Sequence, residues 1–236
     1  MSTTIAYPYE ENGYTLYSTA YCPFAQRARR ALSAAKVPYK LVEFDLQNKP
    51  DWYHLVNPQL KVPALRTPDG TILIESLVIS EFVADQFPES QLIPTDAIER
   101  AQLRLFVEIF GSRVSPHLFG SLRAATEEAQ KEHVDKLLAG LREVNDELVK
   151  QWPRSSGNGG PFWFGNKISL AETSTAGFVN LLAGPKHYRG LAIPETDEYA
   201  AYHKWVEAFS QHPAYTESKL SDKAAIVALK KFVADA

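Results

Sequence analysis

A strand signal runs straight into a helix signal at Tyr21-Cys22-Pro23, and that junction constrains the fold more than any other stretch of the 236 residues. Tyr14-Thr15-Leu16-Tyr17 is aromatic and β-branched and predicts a strand, whereas Arg27 to Ala35 is rich in Ala, Leu and Arg and predicts a helix. Pro23 suits the first helical position, where a missing N–H costs nothing. Cys22 then falls at the N-cap, its sulfur facing unpaired backbone N–H groups and the positive end of the helix. Such surroundings predict a site that favours thiolate over thiol. Cys22 is also the only cysteine, so no internal disulfide can form and no second thiol is available to resolve a mixed disulfide.

Short strand and helix signals continue to alternate. Tyr39 to Leu46 reads as a strand and Asn48-Lys49-Pro50-Asp51-Trp52 as a turn into a short helix. Val62-Pro63-Ala64-Leu65 and Thr71 to Ile74 read as two strands joined by a Pro68-Asp69-Gly70 turn, and Glu75-Ser76 opens a helix ending near Phe87-Pro88. From Pro94 the strand signals fade. Leu103, Phe106, Phe110, Val114 and Leu118 predict one long amphipathic helix, and Val134, Leu137, Leu138, Leu141, Leu148 and Trp152 a second. Residues 155–161 read as a loop whose glycines lack the Gly-Lys-Ser/Thr of a phosphate loop. Ser169-Leu170-Ala171-Glu172 has capping-box spacing before a buried helix through Phe178 and Leu182, and further helices are expected over Tyr199 to Gln211 and Asp222 to Phe232.

The net charge of −3 and the absence of a basic run with interleaved aromatics argue against nucleic-acid binding. No apolar run reaches the ~18 residues of a membrane span, and no leader pattern opens the chain, so a cytoplasmic protein is expected. The six histidines lack metal-ligand spacing; His203 and His212 read as structural polar groups.

Taken together, Cys22-Pro23-Phe24-Ala25-Gln26-Arg27, Asn48 to Trp52, Val62-Pro63-Ala64-Leu65, Glu75-Ser76 and Phe164-Gly165-Asn166-Lys167-Ile168-Ser169 resemble a cytosolic glutathione transferase, in particular the omega class. The Cys-Pro-Phe-Ala-Gln-Arg run is shared with the plant lambda class and with fungal omega-like enzymes, and Gln26 stands where animal omega enzymes usually carry glutamate. The resemblance implies an α/β thioredoxin-like domain over residues 1–90 that binds glutathione, then an all-α helical domain over 91–236 that supplies a hydrophobic electrophile site. It also implies a homodimer and glutathione as cosubstrate; with one cysteine and no metal-ligand spacing, no metal is expected.

Glutathione has two carboxylates and one ammonium group. Ser76, at a helix start, suits the γ-glutamyl carboxylate, Glu75 its ammonium, and Lys49 the glycyl carboxylate by resemblance; Val62-Pro63 suits strand-like pairing with the peptide, and Phe24 is expected beside the sulfur. Phe106, Phe110, Trp205 and Phe209 are the candidates for the electrophile site, with core packing as the competing role. Tyr17 and Ser18, near the end of the first strand, are alternative contacts for the sulfur, and Arg27 is expected to lend structural support one turn along. Lowering a thiol pKa from ~8.5 to ~6.5 raises thiolate about 24-fold at neutral pH but makes each thiolate about 8-fold less reactive. The low-pKa sulfur gains more as a leaving group, which favours glutathionyl removal through a Cys22–glutathione mixed disulfide over conjugation. A ligandin-type protein that binds aromatic molecules with little turnover is the alternative.

Overall fold

The computed structural model describes residues 6–154 and 160–234, which leaves most of the expected 155–161 loop outside the described residues. A four-stranded sheet forms from β1 (Tyr14–Ser18), β2 (Tyr39–Glu43), β3 (Ala64–Arg66) and β4 (Ile72–Ile74) in the order β2-β1-β3-β4. β1 pairs parallel to β2 with Leu16 opposite Leu41, and antiparallel to β3 with Leu16 opposite Leu65. The parallel pair requires a crossover, and α1 (Pro23–Ala34) supplies it. Pleating sends Leu16 to one side with Ala28, Leu32, Leu65 and Ile79, and Tyr17 to the other with Ala25, Tyr53, Val62 and Ala64. α1 and α2 (Ser76–Gln86) cover the first of these faces. Val62 and Pro63 precede β3 instead of belonging to it, and the bond between them is cis.

After β4, the described residues hold no further strand beyond isolated bridges at Phe162–Gly165 and Phe164–Lys167. The helices are α3 (Ala97–Ile109), α4 (Ser115–Arg123), α5 (Glu127–Gln151), α6 (Leu170–Leu181), α7 (Ala183–Arg189), α8 (Ala200–Ser210), α9 (Pro213–Thr216) and α10 (Asp222–Leu229). The first long helix expected is thus divided, with a π-helical turn over Phe110–Val114 between α3 and α4. Pro116 lacks the N–H that would bond the carbonyl four residues back, so the regular ladder cannot run through this point. α7 was not legible because Gly184-Pro185 reads as a breaker; both lie in its first turn, where proline is tolerated.

Ser169 and Glu172 form the expected capping box. The Glu172 carboxylate accepts from the Ser169 N–H (2.8 Å), the Ser169 hydroxyl (2.8 Å), the Trp163 N–H (2.7 Å) and the Trp205 indole N–H (2.8 Å), all out of contact with solvent. Burial pushes its pKa up, and these donors oppose the rise. α6 then packs along α1. Gly177 makes the approach close: a Cβ there would lie 3.0 Å from the Pro23 carbonyl oxygen and 3.1 Å from its Cα. Glu172→Ala strands several buried donors, and urea unfolding should show a loss of about 3 kcal/mol or more. A loss below ~1 kcal/mol would contradict this account of the cap.

Candidate active site

The N-cap of α1 is Cys22, with Pro23 at the first helical position. Its sulfur lies against the amides of Phe24 and Ala25, although the side chain forms no cap hydrogen bond of good geometry. Cys22 keeps some accessible surface, yet the sulfur is enclosed deeply enough that burial dominates and its pKa is raised above that of an ordinary thiol. The Ala25 and Phe24 amides, the Arg27 guanidinium and the Lys231 ammonium pull the other way without winning. The thiolate preference expected from the helix start is therefore corrected: desolvation of the charged form outweighs two amides and two cations.

Two cavities, each about 490 Å³, meet at this residue. Cys22, Phe24, Lys49, Val62, Pro63, Glu75 and Ser76 all line the first, together with Leu46, Asn57, Leu60 and Lys61. Asn57 donates to the Lys61 carbonyl (2.8 Å), as does the Tyr53 hydroxyl (2.7 Å), so this loop is tied to the buried aromatic cluster beneath it. Its one advance signal was the Asn57-Pro58 turn pair. Ser76 is the first helical residue of α2 and not its cap; Glu75 takes that place with φ 68° and ψ 117°. A non-glycine residue so placed costs about 1–3 kcal/mol and persists only where its surroundings hold it. The Ser76 hydroxyl accepts from Arg27 (3.4 Å).

Arg27 is nearly buried. Its Nε donates to the Ser174 carbonyl (2.8 Å), and its guanidinium lies 5.3 Å from the Phe24 ring centroid and 5.0 Å from that of Phe178. Burial lowers its pKa to about 10, while Cys22 and Glu108 raise it. Phe24 and Phe178 stack edge to face at 5.1 Å, which fixes the ring beside the sulfur while leaving it 42% exposed. Tyr17 and Ser18 are fully buried and line neither cavity; the Tyr17 hydroxyl donates instead to the Pro8 carbonyl (2.9 Å).

The second cavity lies between Cys22 and the helices, and its walls differ from those expected. Phe106, Phe110, Trp205 and Phe209 have no exposed surface and line neither cavity. They fill the helical core, with ring centroids 5.6 Å apart for Phe106–Trp205 and 4.8 Å for Trp205–Phe209. Helical spacing puts Phe106 and Phe110 on one stripe and Trp205 and Phe209 on another along α8, and both stripes face inward. The cavity wall is built instead from Tyr21, Pro116, Phe119, Arg123, Lys231 and Phe232, among others. The i,i+4 pair Phe119 and Arg123 was the available signal. No group of three or more metal-ligating side chains occurs among the described residues. His212 caps α9, accepting from the Ala214 N–H (3.2 Å).

A thioredoxin-like sheet with a thiol at the start of its first helix, followed by a helical bundle, is the architecture of a glutathione transferase. The chain matches the family model for the glutathione S-transferase N-terminal domain over residues 16–91. It is 34% identical over 176 residues to a probable glutathione transferase omega-2 of Caenorhabditis elegans, spanning 74% of this chain and 63% of that relative's length. It is 27% identical to glutathione S-transferase omega-1 of Mus musculus, over 92% of this chain and 84% of the relative. Glutathione transferase Omega 1C of Trametes versicolor has the same fold with a TM-score of 0.77 at 30% identity, covering 93% of this chain and 96% of that one. The chain belongs to the omega-class glutathione transferases.

With the Cys22 pKa raised, alkylation by iodoacetamide should follow a pH profile whose midpoint lies above that of a free thiol measured alongside it. The linkage has a definite sign. A raised folded-state pKa contributes stability that is fully present below the unfolded thiol's value and is lost as pH climbs through the folded value, so Cys22→Ser should remove that alkaline slope. An alkylation midpoint below that of the free thiol would show that amides and cations outweigh burial.

Proposed function

We propose that this chain is a glutathione-dependent thiol transferase working through a Cys22–glutathione mixed disulfide. The observation that carries the proposal is the position of Cys22, which lines both a cavity containing the polar side chains of Lys49, Glu75 and Ser76 and an aromatic cavity on the helical side. Glutathione in the first cavity would set its γ-glutamyl carboxylate at Ser76 and the start of α2, its ammonium at Glu75, its glycyl carboxylate at Lys49 and its backbone along Val62. The strained Glu75 backbone supports a binding role, since such strain is retained where a site requires it.

Cys22 attacks the glutathionyl sulfur of a mixed disulfide, the partner thiolate leaves, and a second glutathione recovers Cys22 while forming glutathione disulfide. The chain holds no second cysteine, so the resolving thiol comes from outside. The division into a glutathione-binding part over 1–90 and an electrophile-binding part over 91–236 belongs to this proposal, as do a cytoplasmic location and a homodimer. Val78 on α2 and Ile98 and Leu105 on α3, all more than half exposed, are the apolar surface a second copy would cover. No helix among the described residues is long and apolar enough to cross a membrane.

Aromatic ligand binding with little turnover is the second reading. Glutathione transferase Omega 2S of Trametes versicolor, 26% identical, is known in complex with 2,4-dihydroxybenzophenone. Assays with a glutathione mixed disulfide decide between the two. Cys22→Ser should cut reductase turnover at least ~100-fold while calorimetry shows glutathione affinity largely kept. Unchanged turnover in that variant would refute the mechanism; no turnover in the parent, with tight aromatic binding, would establish the second reading.

A further inference from the structure

The second cavity has a charge bias that its apolar walls do not need. Two of its lining side chains are cations, Arg123 and Lys231, and none is a carboxylate. Among the described residues, neither cation lies within 4.0 Å of a carboxylate oxygen, although eight other basic side chains do. Lys231 is a minor influence on the Asp45 carboxylate, which is engaged by the Gln47 N–H (3.0 Å) and the Tyr21 hydroxyl (2.6 Å).

Both cations are held over aromatic rings. The Arg123 guanidinium carbon lies 4.9 Å from the Phe232 centroid and 5.4 Å from that of Phe119; the Lys231 Nζ lies 4.9 Å from Tyr21 and 5.4 Å from Phe232. Cation–π contacts of this kind bias long side chains toward the cavity when they would otherwise sample solvent. They also bring both charges to one ring, Phe232. A neutral aromatic guest would be served by Pro116, Phe119, Phe232 and Leu229 alone. An aromatic guest bearing a negative charge uses both cations as well, and a cavity of about 490 Å³ accommodates a one- or two-ring molecule.

We propose that the second cavity selects anionic aromatic substrates, with Arg123 and Lys231 setting the preference. The proposal rests on the thiol-transfer reading for its chemistry. With a disulfide between glutathione and an aryl thiol carrying a carboxylate, the Cys22 thiolate attacks the glutathionyl sulfur. The S–S bond breaks, and its electron pair leaves on the aryl sulfur, whose ring carboxylate sits against Arg123 and Lys231. A second glutathione thiolate attacks the glutathionyl sulfur on Cys22 and releases Cys22 with glutathione disulfide. The aryl sulfur is reduced and the second glutathione oxidised, so electrons balance.

The test compares two glutathione mixed disulfides with nitro-activated aryl thiols, one made with thionitrobenzoate, which is anionic, and one with para-nitrothiophenol, which is neutral. In the parent protein kcat/KM should favour the anionic compound roughly 10-fold at low salt, and about 0.5 M salt should erode most of that ratio. The double variant Arg123→Gln/Lys231→Gln should bring the ratio to within about threefold of unity, whereas Arg123→Lys should keep most of it. A parent ratio near unity, or one unchanged in the double variant, would overturn the proposal.

Equilibrium binding separates this from the chemistry beneath it. Anilinonaphthalene sulfonate should bind more tightly than the uncharged phenylnaphthylamine, and the double variant should weaken only the sulfonate. If the parent turns over neither disulfide, the thiol-transfer reading falls and the dye pair alone decides the charge preference: loss of sulfonate binding in the variant upholds it, and equal binding of both dyes by the parent overturns it.

Discussion

The Glu172 carboxylate is the interaction on which the placement of the site depends. A charge with no exposed surface is costly on its own, and four donors from three places in the chain compensate it: Ser169 at the start of α6, Trp163 in the preceding segment and Trp205 on α8. These bonds fix where α6 begins and how it is directed. One and a half turns further along α6, Gly177 meets Pro23, so the same anchoring sets the approach of the helical layer to the start of α1. Arg27 reinforces the contact by donating to the Ser174 carbonyl. A change at Glu172 thus reaches Cys22 through one rigid helix and one backbone contact.

At Cys22 two effects oppose each other, and burial is the larger. The helix start offers amides to the sulfur, but Pro23, the residue that marks this start, has no N–H to offer, which leaves Phe24 and Ala25. Burial against the cluster of Tyr17, Ala25, Tyr53 and Val62 then decides the outcome. Each unit of rise in a thiol pKa lowers the thiolate population about 10-fold and raises the nucleophilicity of each thiolate about 3-fold, so attack slows only about 3-fold per unit. Departure of the sulfur from its mixed disulfide is slowed as well. The leaving-group advantage expected of a low-pKa cysteine is therefore lost, and release of the glutathionyl group depends more on how well the second glutathione is held.

Local chemistry made much of this legible. Strands β1 to β4, helices α1 and α2 and the α6 cap follow from alternation, proline position and capping spacing, each within a few residues. The residues assigned to glutathione gather on one cavity because they fall on consecutive loops at one end of a single sheet. The aromatic cavity was not legible, and α3–α4 shows why. Phe106, Phe110, Val114, Leu118 and Leu122 are all buried and recur every four residues. On an ordinary helix such a stripe drifts by about 40° per repeat. The wider π turn over Phe110–Val114 takes up part of that drift and keeps the stripe facing the core. The spacing therefore identified the core face, the competing role of Phe106 and Phe110, and left the cavity wall unmarked, since Phe119 and Arg123 lie off that stripe.

Phe24 shows how the two cavities remain distinct while sharing one sulfur. Its ring borders both, yet it is held edge to face on Phe178, which in turn lies 6.1 Å from the buried Phe110. The partition is consequently an extension of the helical core and not a loose surface side chain. A guest that spans both cavities must pass beside this ring, where Cys22 is accessible from either side. Geometry then favours the substrate bond that lies at the partition, with a peptide-like half toward Ser76 and an aromatic half toward Phe119. Under the proposed chemistry, selectivity for the bond cleaved comes from the spacing between the two cavities, whereas selectivity for the group released comes from the walls of the second.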